Sequence, residues 1–223
     1  MCFSAEASFA ASGTLAVTGI AVARLPKKKS AIPLSMCPLI FAAHQFIEGI
    51  LWLEHSGTLP EEYKSTALYA FVFIAFILWP IYIPLCCGLI EKGGFRKNIN
   101  RLCLLIGIYA GLSALVGVLQ HPVDATVVGH SFAYDIELPP NFLGFYAFAV
   151  ITPFLISSQK GLVIFGMALT VFCGIALYSA TSNTFPSVWC FLAALLSLGL
   201  YLHFRHEANA LAQRENSDMR HHP

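Results

Sequence analysis

An all-α bundle of seven transmembrane helices is the fold this chain predicts, and three observations predict it. The 223 residues are 57% hydrophobic and only 11% charged, whereas an ordinary soluble domain carries roughly 25% charged residues. Apolar windows near membrane-spanning length occur at residues 5–25, 32–54, 66–90, 102–120, 141–157, 161–180 and 186–204. Lys and Arg fall on alternate connections between those windows.

The basic residues also set a topology. Arg24, Lys27, Lys28 and Lys29 follow the first window, and Lys92, Arg96, Lys97 and Arg101 separate the third from the fourth. Lys160 sits between the fifth and sixth, and Arg205, Arg214 and Arg220 follow the last. Of the 13 Lys and Arg only Lys64 lies on the opposite set of connections. The positive-inside rule then puts the N-terminus outside and the C-terminus in the cytoplasm, which requires an odd number of spans. A signal peptide would carry its positive charges ahead of its apolar core; here they follow it, and Glu6 precedes most of it. The first helix is therefore expected to stay in the mature chain.

Residues 1–205 read as one transmembrane domain and 206–223 as a polar cytoplasmic tail with too little apolar content to fold alone. A net charge of +1, with no basic patch interleaved with aromatics, gives no argument for a nucleic-acid partner. The expected partners are the lipid bilayer and a small ligand.

Element by element, helix 1 is rich in small residues (Ala7, Ser8, Ala11, Ser12, Ala16, Gly19), which let helix backbones approach closely. Helix 3 carries Pro80 and Pro84, each of which removes a backbone donor and frees a carbonyl one turn earlier. The connection from His121 to Pro140 has no Lys or Arg but holds Asp124, His130, Tyr134 and Asp135. It is too long to be slack, and it is expected to fold over the outer mouth of the bundle.

Helix 2 is the anomaly. At about 100° per residue, Cys37, His44, Glu48 and His55 fall within about 40° of one another, a polar stripe on an apolar rod. A carboxylate near mid-bilayer costs a few kcal/mol, about 3 on insertion scales, so Glu48 should face the bundle and have a partner. His44, four residues earlier, is the local choice, and such a pair suits a shared metal, an oriented imidazole or a proton relay. Topology places Cys2, Glu6, His121 and His130 on the same side of the membrane as this pair. Trimming of Met1 would give Cys2 both a thiol and an α-amine, a potential nucleophile or metal ligand.

The opening Met1-Cys2-Phe3-Ser4, together with Gln45, Glu48, Gly49 and Trp52 of helix 2, resembles a family of uncharacterised bacterial multi-pass membrane proteins. That family begins Met-Cys-Phe-Ser and carries a Gln-x-x-Glu-Gly-x-x-Trp stretch in the second helix. The resemblance implies a bacterial inner-membrane protein and directs attention to Cys2, Gln45, Glu48 and Trp52. The seven-helix ceramidase and progestin-receptor-like hydrolases are similar in architecture only, since the last helix here lacks their histidine pair at the active end.

The leading expectation is an outward-facing intramembrane polar site that binds a metal ion or small polar ligand. As a metal-dependent hydrolase it would hold a divalent transition metal such as zinc on His44 with His121 or His130, and Glu48 would be the general base. Glu6, Gln45 and Trp52 would contact the ligand. The alternatives are a proton-coupled transporter or channel titrating at Glu48 and gated at Pro80 and Pro84, and a sensor or structural protein without chemistry.

Overall fold

The computed structural model describes residues 4–25, 27–179 and 184–221. Helix α1 (Ala5–Arg24) starts where the Ser4 side chain accepts the Ala7 N–H at 3.3 Å. It ends where the Lys27 ammonium donates to the Val22, Leu25 and Ala23 carbonyls at 2.6, 2.8 and 3.3 Å. Its small residues do what they suggested. The Ser12 hydroxyl donates to the Ala42 carbonyl at 2.8 Å, and Gly19 and Gly49 leave room for Leu39 and Phe9 across the contact with α2.

Helix α2 (Lys29–His55) begins with a 3-10 turn and one α-turn before its main rod, Cys37–His55. Pro38 can neither donate a backbone hydrogen bond nor tolerate the carbonyl four residues back, so the ladder restarts after Met36. The central position of α2, against α1, α3 and α7, makes it the most enclosed of the long helices.

Helix α3 (Glu62–Ile90) widens into a π-helical stretch over Phe73–Leu78, where the Trp79 N–H reaches back five residues to Ile74. Pro80 explains the position: its ring would collide with the Phe76 carbonyl in a regular ladder. Pro84 then leaves the Pro80 carbonyl without its helical donor. Gly107 of α4 (Gly94–Gln120) lies directly on that oxygen, where any Cβ would overlap it. The two prolines are thus packed against a neighbouring backbone.

Helix α5 (Phe142–Leu155) has only 14 residues and follows Asn141, whose φ is 65°. A rod of that length covers about 21 Å, less than the hydrocarbon core of about 30 Å. Helices α6 (Lys160–Ser179), α7 (Phe185–Ser197) and α8 (Gly199–His221) complete the chain, α7 and α8 running on as one rod broken only at Leu198. Among the described residues six helices are long and apolar enough to cross a membrane, and α5 is the shorter seventh. The protein is an all-α membrane-type bundle. Residues 206–221 of the polar tail are the continuation of α8, which packs on α1 and α6.

The connection after α4 contains an antiparallel hairpin, β1 (Asp124–Val128) and β2 (Ser131–Asp135). Gly129, at φ 63°, takes the first of its two turn positions, where a type II′ hairpin turn needs glycine. Four consecutive residues of β2, Ser131 to Tyr134, are buried. Phe132 packs on Trp52 with ring centroids 4.6 Å apart, and Tyr134 stacks on Phe71 at 4.4 Å and 8°. The hairpin is therefore a plug seated on the ends of α2, α3 and α7. Its rim is tied by Lys64 to Asp124 at 2.8 Å and by His121 to Glu137 at 2.9 Å.

Candidate functional site

The polar stripe of α2 is enclosed from Cys37 to Glu48, with His44, Glu48 and the adjacent Gln45 all 0% exposed, while His55 at the helix end is exposed. Glu48 finds its partner on α7. The Ser187 hydroxyl, also fully buried, donates to Glu48 Oε1 at 2.7 Å, and the Gln45 side-chain amide donates to Oε2 at 3.4 Å. Ser187 is where it is because Pro186 favours the first turn of a helix, and α7 begins at Phe185. The carboxylate thus meets the end of a helix whose first N–H groups have no intrahelical acceptor and whose dipole favours negative charge.

His44 does not join this pair. Its ring lies 4.2 Å from that of Phe71 at 40°. Neither ring nitrogen has hydrogen-bond geometry with any described group, although the Phe71 backbone lies close enough for electrostatic interaction. Four-residue spacing brings two side chains to one helix face but leaves each free to choose a neighbour. An imidazole does not stand between Ser187 and Glu48, so the relay of a serine hydrolase is not assembled.

The other expected site residues scatter. Trp52 is half-buried beneath Phe132, and Glu6 is exposed in the first turn of α1. His121 is exposed and paired with Glu137, and His130 is exposed in the hairpin turn. Cys2 lies outside the described residues. Among the described residues no group of three or more His, Cys, Asp or Glu is placed to hold a metal ion. The set of His44, His121 and His130 is not brought together.

A cavity of about 450 Å3 lies between α3, α5, α7 and the hairpin; Pro186, the neighbour of Ser187, is in its wall, whereas Ser187, Glu48 and Gln45 are not. Phe76, Tyr134, Phe142, Tyr146, Trp189 and Cys190 supply much of its wall, and Leu177, about half exposed on the flank of α6, belongs to its rim. A narrower space of about 30 Å3 shares Tyr146, Trp189 and Cys190 and continues between Phe41 and Phe165. Cys190, one turn along α7 from Ser187, is within electrostatic reach of Glu48. A largely apolar pocket of this size with a few polar groups in its wall, Tyr134, Asn141 and Tyr146 among them, has the form of a site for a small amphiphile.

The sequence leaves Ser187 unmarked and names Tyr134 only as one of the notable residues of the connection after α4. Pro186 gave the helix start that puts Ser187 in a first turn, but nothing local pairs it with a residue 139 positions away. For Tyr134 the signal was the β-branched and aromatic composition around Gly129, from Thr126 to Tyr134. No characterised protein and no solved structure matches the chain. A family model does match, over residues 1–216, and on that coverage the chain belongs to a family of unknown function (DUF6629).

Proposed function

We propose that this protein is a membrane-embedded binding protein for a small amphiphile. The apolar part of the ligand fills the cavity between α3, α5 and α7, and the polar part meets the cluster of Glu48, Ser187 and Gln45. One observation carries the reading: Pro186, Trp189 and Cys190, which flank Ser187 in the first turns of α7, line the 450 Å3 apolar cavity, so the Glu48–Ser187 bond is made one residue from the cavity wall. The lining favours an amphiphile over a free metal ion or a small polar solute, because burial of methylene groups supplies about 0.8 kcal/mol each.

In the orientation favoured by the basic connections, the N-terminus is outside, the cavity opens in the outer half of the membrane and the hairpin is its outer cover. Together with the resemblance of the first residues and of helix 2, this fits a bacterial inner-membrane protein.

The test is native mass spectrometry of protein released from membranes in mild detergent. Wild type should retain one amphiphile per chain. Ala75→Phe, which fills the cavity from α3, should reduce the retained mass about tenfold or more, and Leu143→Trp should repeat the loss from α5. Both variants are compared with wild type by size exclusion and melting. Wild type without bound mass, or retention undiminished in two folded variants, contradicts the proposal.

A further inference from the structure

The opposite end of the bundle holds a second pair of cavities. Clefts of about 550 Å3 and 240 Å3 adjoin there and share Lys28, Gln159 and Glu207. Lys160, His206 and Arg214 line the larger, and Lys92 and Lys97 the smaller. The walls therefore carry a clear excess of positive charge.

Two carboxylates interrupt that excess, and they differ. Glu91 is fully engaged: its Oε1 accepts the Ser158 N–H at 2.8 Å and the Ser157 and Ser158 hydroxyls at 3.1 Å. Glu207, on α8, is not. Its Oε2 is buried and has no hydrogen-bond partner. The nearby cation, Lys27, has given its ammonium donors to the carbonyls that end α1. Burial pulls the Lys27 ammonium below the usual lysine range, and Glu207 opposes that shift through its charge alone. The His203 Nε2 of the same cleft is likewise buried without a partner. A buried carboxylate oxygen without a donor is costly, so these groups are poised for a ligand that brings donors and negative charge together.

We propose that this cleft binds the headgroup of an aminophospholipid. The phosphate lies against Lys28, Lys160 and Arg214, and the primary ammonium donates to Glu207. Charge-assisted bonds of both signs suit the two kinds of wall. A lipid is favoured over a soluble phosphate ester because Leu202 and Leu211 share the cleft wall and Leu202 is 66% exposed. The cleft also lies where the apolar helices give way to basic connections, at headgroup level.

The experiment uses the delipidated full chain and measures lipid binding by native mass spectrometry. The probes share their acyl chains and differ in headgroup: ethanolamine, N-methylethanolamine, N,N-dimethylethanolamine, choline and glycerol. Wild type should bind the ethanolamine lipid about tenfold more tightly than the choline lipid, with affinity falling as methyl groups replace N–H donors. Glu207→Gln should bring the ethanolamine lipid down to the choline value, and Lys160→Ala with Arg214→Ala should weaken every phospholipid. Free phosphoethanolamine should displace the lipid only at far higher concentration. Equal binding of ethanolamine, choline and glycerol lipids by wild type overturns the proposal without reference to any variant. An ethanolamine preference that survives Glu207→Gln overturns the role of Glu207, and free phosphoethanolamine binding as tightly as the lipid overturns the lipid source.

Discussion

Glu48 and Glu91 are both buried carboxylates held by serine hydroxyls, yet they sit in opposite settings. Glu91 ends α3 and gathers three donors from the short turn between α5 and α6 onto a single oxygen. It lines the smaller polar cleft of the basic end. Glu48 lies in the middle of a helix long and apolar enough to span a membrane and is bonded across the bundle to Ser187, whose neighbour Pro186 lines an apolar cavity under the hairpin. The same chemistry serves as a clamp in one place and as the polar end of a pocket in the other. What distinguishes them is the character of the nearby space, polar at Glu91 and apolar next to Ser187.

The largest effect should come from breaking the clamp. Glu91→Ala strands the Ser158 N–H and the two hydroxyls, and should cost about 2–4 kcal/mol of stability. In thermal melts this is a clear fall in Tm, with amphiphile retention unchanged in the protein that stays folded. A mild effect on Tm, or loss of the amphiphile, would erase the distinction.

Ser187→Ala should follow, at about 1–3 kcal/mol for removing a donor from a buried carboxylate. Unlike Glu91→Ala it should also weaken amphiphile binding, and titration of the two variants side by side reads the difference.

The smallest effect should be that of acid on the plug. Lys64, hydrogen-bonded to Asp124, holds the Asp124 carboxyl below the usual aspartate range, and the Ala125 N–H adds to this. A lowered folded-state value means that the tie is fully present above the unfolded aspartate pKa and is lost as pH falls through the folded one. The pair is 30% and 59% exposed, so screening limits its contribution to about 0.5 kcal/mol. Hydrogen exchange of hairpin amides should quicken slightly below about pH 4 relative to Asp124→Asn, which has no tie to lose.

Much of the fold was legible because the bilayer imposes a coarse code: long apolar windows, with the charges kept outside them. Where windows and helices differ, the cause is local. Helix α4 starts eight residues before its window at 102 because Gly94 to Arg101 form helix in the polar layer, where hydropathy is blind. The hairpin escaped because β2 is buried on both faces and lacks the alternation that marks a half-buried strand. Glu48 was legible as an ionisable group within an apolar run. Its partner was not: periodicity fixes which residues share a face, and His44 and Glu48 do share one, but the packing of α3 and α7 turns His44 to Phe71 and Glu48 to Ser187.

The central claim is that Glu48 belongs to the amphiphile site and Glu91 does not. The most direct test compares Glu48→Gln with Glu91→Gln, two isosteric changes, by the mass retained in native spectrometry. Glu48→Gln should lose the amphiphile or exchange it for one with a different polar group, while Glu91→Gln keeps the wild-type ligand. The same ligand, retained equally by both variants, would contradict the account.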